Sequence, residues 1–196
     1  MTQQPQQPQQ PQPQGWANPG PWALFSIAVL TGCAGFLNAG LLPPTTAPLL
    51  VGILIACVIP QLVAGLINFQ RGEILIGTLN GFFGTVATIG IAITTWMLIM
   101  APKPGVITPE ILGVFNIILF VAMEIAAIGF GRASWFLMLG IAEVGAAFLC
   151  FGLAQIVLGG WLLIIFAVFC LYLGAAILWG EVFQKPVLPV GRPIFK

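Results

Sequence analysis

The sequence predicts an all-α polytopic membrane protein with six transmembrane helices. Three observations point there. The chain has 196 residues, 59% hydrophobic and 6% charged, where a soluble domain is about a quarter charged. So few charges cannot cover a soluble protein of this size, so lipid must be the solvent for most of its surface. The long runs are apolar on every face, whereas the strands of a β-barrel alternate apolar and polar over about ten positions. Proline, glycine and charged residues divide the apolar stretch into six such runs.

Residues 1–17 form a Gln/Pro-rich tail in which 1–14 are Gln and Pro with little else. It has almost no apolar group to offset its ordering entropy and is expected to be disordered. No Lys or Arg precedes Arg71, so the first span is expected to be a retained anchor, not a cleaved signal. That span covers about residues 22–42. Asn18 can cap it, and Pro19 and Pro21 fit a first turn whose N–H groups are unpaired anyway. Pro43 and Pro44 end it.

The second span is about residues 47–69, with a kink expected at Pro60, and closes at Asn68-Phe69-Gln70-Arg71-Gly72-Glu73. The third, about 74–100, exceeds the roughly 20 residues needed to cross. It should tilt or bend, helped by Gly77, Gly81, Gly84 and Gly90. After the loop at Ala101-Pro102-Lys103-Pro104-Gly105, Thr108-Pro109-Glu110 reads as a cap, a first-turn proline and a dipole-matched acid. It opens a fourth span at about 109–130. The fifth covers about 133–158, Gly159-Gly160 reads as the turn, and the sixth covers about 161–182. The transmembrane domain is therefore 18–183, followed by a basic, Pro-rich tail at 184–196.

Arg71, Arg132, Lys185, Arg192 and Lys196 fall on one side of this scheme and Lys103 on the other. The excess of Lys and Arg on the inner side places both termini in the cytoplasm. Gly77 with Gly81, and Gly35 with Ala39, have the spacing that lets backbones approach in lipid. Cys33, Cys57, Cys150 and Cys170 each lie inside an apolar run and read as small buried hydrophobes. With no His and no Asp, a metal site is not expected.

Two acids fall at membrane depth, Glu124 in the fourth span and Glu143 near the middle of the fifth. No Lys or Arg lies at a comparable depth. Each is expected to be either a neutral acid or part of a water-filled cavity, and each is a candidate to carry protons. Glu143 is the more central of the two. Structurally, each equally suits an acid bonded to a neighbouring helix. Polar amides accompany them at Asn38, Gln61, Asn68, Asn80, Asn116 and Gln155. Asn80, with Thr78, Thr85 and Thr88, gives the third span a partly polar stripe. That stripe suits a narrow solute path and interhelical hydrogen bonding equally. The lack of His and Asp also removes the usual catalytic bases and triads, so the chain is not expected to be an enzyme and needs no cofactor. Its net charge of +1 and its six Lys and Arg, too few to neutralise many phosphates, argue against a nucleic-acid partner.

Three motifs resemble the acetate uptake transporter family. Asn18-Pro19-Gly20-Pro21-Trp22-Ala23-Leu24 is similar to that family's Asn-Pro-Ala-Pro-Leu-Gly-Leu at the start of the first helix. Gln61, Ala64-Gly65-Leu66 and Arg71-Gly72 resemble its second-helix run. Gly180-Glu181-Val182 and Leu188-Pro189-Val190-Gly191 resemble its endings. The resemblance covers residues 18–191. It implies a homohexamer in the cell membrane, with a path through each protomer for acetate or a related short carboxylate, often moved with a proton. Some members are linked to ammonium export.

The family's path is narrowed by Phe, Tyr and Leu, and these positions fall on Ile27, Phe83 and Ile141 of this chain. Asn18, Pro19 and Pro21 would shape the inner mouth. The constriction has lost its tyrosine hydroxyl, the family's acid after Ala-Gly-Leu is Asn68 here, and Glu124 and Glu143 have no acidic counterpart. The expected function is proton-linked transport of acetate or a similar short carboxylate. The alternatives are a channel or exporter for ammonia, ammonium or another small solute, and a membrane scaffold presenting its Gln/Pro tail.

Overall fold

The computed structural model describes residues 15–101 and 110–195. These form helices and turns and no strand. Helix α1 is Gly20–Asn38. The Asn18 side-chain oxygen accepts a 2.9 Å hydrogen bond from the Gly20 N–H, and Pro21 sits in the first turn. The helix stops four residues short of the expected boundary at residue 42, because Gly40 turns the chain at φ +76°. Pro43 and the 3₁₀ turn Pro44–Thr46 follow.

Helix α2, Ala47–Gln70, continues through Pro60. The third span is three consecutive pieces: α3 (Ile74–Phe82), a π turn (Phe83–Ala87) and α4 (Thr88–Met100). Helix α5 is Glu110–Phe130. The cap residues Thr108 and Pro109, the loop cation Lys103, the tail 1–14 and Lys196 lie outside the described residues.

The last two spans correct the sequence reading. Helix α6, Trp135–Gly152, ends six residues early, and the turn is Leu153–Gln155 with Ala154 at φ +58°. Gly159 and Gly160 lie inside α7, Ile156–Phe183. They are packing glycines: a methyl at Gly160 would strike the Ala39 amide, and one at Gly159 would meet the Phe151 ring. A Gly-Gly pair is a turn signal in water, but in lipid it also admits a crossing helix.

Six helical stretches are long and apolar enough to cross a membrane, and the chain is an integral, multi-pass membrane protein. They close a ring in the order α1, α2, α3–α4, α5, α6, α7, with α7 packed along α1. Both small-residue pairs serve it. Gly35 lies against the Gly160 carbonyl and Ile164 of α7, and the Gly65 of α2 lies against Gly77 and Gly81 of α3.

Both described ends sit at one end of the ring. Arg71 Nη1, just past α2, donates to the Trp16 carbonyl at 2.6 Å, ahead of α1. The C-terminal segment folds over the α5–α6 turn: the Ser134 hydroxyl donates to the Val190 carbonyl, and the Ile194 N–H donates to the Gly131 carbonyl at 2.8 Å. Tyr172 of α7 donates to the Pro189 carbonyl at 2.8 Å. The Ser134 oxygen also accepts from the N–H groups of Phe136 and Leu137, so one side chain caps α6 and holds the tail.

Candidate functional site

The ring is filled by an apolar cluster drawn from α1, the third span, α5, α6 and α7. Its buried members include Ala28, Leu119, Met123, Val144, Phe148, Phe166 and Cys170. Ile27, Phe83 and Ile141, far apart in sequence, all pack against it. Phe83 opens the π turn. Its ring is 5.2 Å from that of Phe82, edge-on, and 5.9 Å from that of Phe148, stacked. The π turn leaves backbone groups out of the α register, and Thr88 Oγ1 donates to the Phe83 carbonyl at 2.7 Å. Such turns concentrate at functional sites in helices.

Asn80 is buried, but on the stripe of the third span that holds Gly77 and Gly84. That stripe faces α2: a methyl at Gly84 would strike Cβ of Gln61. The hydroxyls expected to line a path beside Asn80 are engaged or outward. Thr85 donates to its own helix at the Gly81 carbonyl (2.7 Å), Thr88 does so at Phe83, and Thr78 is exposed. Asn116 likewise donates to its own helix, at the Leu112 carbonyl (2.7 Å).

The two intramembrane acids differ. Glu124 of α5 leans on the backbone of α6, its Oε1 against Gly145. Glu143 has both carboxyl oxygens buried and without a hydrogen-bond partner, and Cys170 of α7 lies within its electrostatic reach. Among the described residues, the other buried side-chain atoms left unpartnered are Gln61 Oε1 and both polar atoms of Asn68. Gln61 Nε2 is occupied twice, by the Ala23 carbonyl (2.8 Å) and Ser26 Oγ (2.7 Å). Because a carbonyl can only accept, the amide nitrogen must face α1, and Oε1 is the free atom.

Asn18, Pro19 and Pro21 stand apart from the cluster, at the end of the ring where Arg71 meets Trp16. Sequence reasoning missed the link from Gln61 to α1 and the capping role of Ser134. The first carries no local signal. The second was visible as a Ser before an apolar run.

A groove of about 420 Å³ between α2 and α4, lined by Val51, Ile55, Ala92 and Trp96, lies away from these residues. No family model and no curated protein matches the chain. Among solved structures it is similar to the bacterial acetate channel SatP, at 22% identity over 90% of this chain and 99% of that one, with a TM-score of 0.69. The chain therefore has the fold of a bacterial acetate channel, as its resemblance to the acetate uptake transporters implied.

Proposed function

We propose that this protein carries acetate or a related short carboxylate across the cell membrane, coupled to a proton. The observation that supports the reading is the meeting of Ile27, Phe83 and Ile141 around one apolar cluster inside a ring with the acetate channel's fold. A short carboxylate with a pKa of about 4–5 is an anion at neutral pH. Bringing one negative charge in against an inside-negative potential costs about 2.3 kcal/mol per 100 mV. A proton moving with it removes that electrical cost and lets the pair cross apolar side chains. Glu143 is the coupling candidate in this reading and Glu124 the second. The end of the ring that carries Arg71, Arg132, Lys185 and Arg192 is cytoplasmic, with Asn18, Pro19 and Pro21 shaping its mouth. The working assembly is a homohexamer with one path per protomer, and the role is transport, not catalysis.

Radiolabelled acetate uptake into proteoliposomes, with and without an inward proton gradient, tests this. Uptake that rises with the gradient is expected, and no uptake under either condition overturns it. One observation favours a second reading. Among the described residues, the unpartnered buried side-chain atoms are four oxygens, Gln61 Oε1, Asn68 Oδ1 and both of Glu143, against one nitrogen, Asn68 Nδ2. An acceptor-rich interior suits ammonia or ammonium, and ammonium-driven pH changes in the same vesicles would select that solute.

A further inference from the structure

Helix α2 contributes nothing to the central apolar cluster. Its buried stripe at this level is Gln61, Ala64 and Asn68, exposed by 1%, 0% and 1%. Gln61 is held by α1. Asn68 is not held: its Nδ2 and its Oδ1 are both buried and both unpartnered. Leaving a buried polar group unmade costs about 1–3 kcal/mol. An amide kept for helix packing would bond as those of Gln61 and Asn116 do.

The antiparallel contacts of α1 and α2 locate this amide. Gln61 meets Ala23 and Ser26, and Arg71 meets Trp16. Asn68 lies between them, about 10 Å along the helix from Gln61 and about 4.5 Å from Arg71. It is therefore level with the stretch from Trp16 to Pro21, beneath the mouth motif.

We propose that Asn68 receives the solute at this mouth as a neutral carboxylic acid. Along one edge, a primary amide offers one of its two N–H donors and its carbonyl acceptor in a plane. A neutral acid offers the complement: its carbonyl accepts from Nδ2–H while its O–H donates to Oδ1. A carboxylate offers two acceptors, and one would face Oδ1 and be repelled. The solute therefore arrives from the path still protonated, passes Asn68 as the acid and gives its proton to water, as hydronium, beyond it. This rests on the carboxylate transport reading and puts the proton, at this station, on the solute itself. Asn68 is 1% exposed, so reaching the amide requires the groups that cover it to move aside.

Acetamide tests it, because it presents a donor and an acceptor on one planar group and does not titrate at neutral pH. In proteoliposomes of the full chain, acetamide in 100-fold excess should cut labelled acetate uptake about fivefold or more. Asn68→Leu should reduce that competition to under twofold, and Asn68→Gln, which keeps the amide, should retain it. Acetate uptake that acetamide leaves unchanged in the unaltered protein overturns the role of Asn68 and leaves the transport reading standing, with no variant needed. If the unaltered protein takes up no acetate, the transport reading falls and stopped-flow swelling in acetamide decides. Faster acetamide entry than in Asn68→Leu vesicles supports the amide site, and equal rates overturn it.

Discussion

Glu124 and Glu143 lie on neighbouring helices, yet their surroundings assign them different work. Glu124 rests on the Gly145 backbone, whereas neither carboxyl oxygen of Glu143 has a partner. In proteoliposomes, Glu143→Gln should abolish the stimulation of acetate uptake by a proton gradient, while Glu124→Gln should keep it. Equal behaviour of the two variants would remove Glu143 from the coupling step. Gly160 makes a separate test at the same scale. A methyl there would strike the Ala39 amide, whereas Gly52 has nothing within 4 Å of an added Cβ. Backbone cannot yield as a side chain does, so Gly160→Ala should cost about 3 kcal/mol, at the upper end for overpacking. Gly52→Ala should leave the thermal transition in detergent unchanged. Gly159-Gly160 misleads because a glycine pair carries the same local signal whether it turns the chain or lets another helix in. The distinction depends on Ala39, more than a hundred residues away in sequence.

At the scale of elements, the six spans were legible because a run of about 20 apolar residues has the length of a bilayer crossing and is rare in a soluble domain. The glycines of the third span suggest a bend. The span carries a π turn at Phe83–Ala87, whose extra residue leaves no mark in composition. Phe83 stands at its start, stacked on Phe148. Phe83→Ala should widen that point, raising acetate uptake several-fold and admitting longer acids such as butyrate, measured by competition in vesicles. The C-terminal segment gives another prediction. Ser134 caps α6 and also bonds the Val190 carbonyl. Ser134→Ala should cost about 1–2 kcal/mol for the lost cap and release the segment, seen as faster proteolytic cleavage after residue 185. Leu188-Pro189-Val190-Gly191 reads as a motif in the sequence, but its partner, the α5–α6 turn, does not.

For the whole molecule, the ring order, the shared end for both chain ends and the apolar centre follow from hairpin connections between antiparallel spans. That Ile27, Phe83 and Ile141 belong together is an expectation from family resemblance, and each packs against the one apolar cluster, although no local pattern links three apolar residues on three helices. The Gln/Pro tail separates two readings of the molecule. Deleting residues 2–14 should leave acetate uptake within about twofold of the full chain, as a solvated spacer would. A scaffold that works through its tail would lose its function.

The π turn has a further consequence. One residue of an α-helix subtends about 100°, and a π turn is an α-helix holding one residue too many. The third span thus works as a phase shifter. The half before Phe83 presents Gly77 and Gly81 to α2, and the half after it is rotated by roughly that angle. Removing a single residue between 83 and 87 would close the π turn to a plain α turn and keep the faces of both halves, whereas removing two would turn the second half by about 100° so that Ala92 no longer faces inward. Hydropathy would be almost unchanged and the ring would not close as before. What matters along this helix is the count of residues as well as their composition: one position is surplus at the turn, and a second is not.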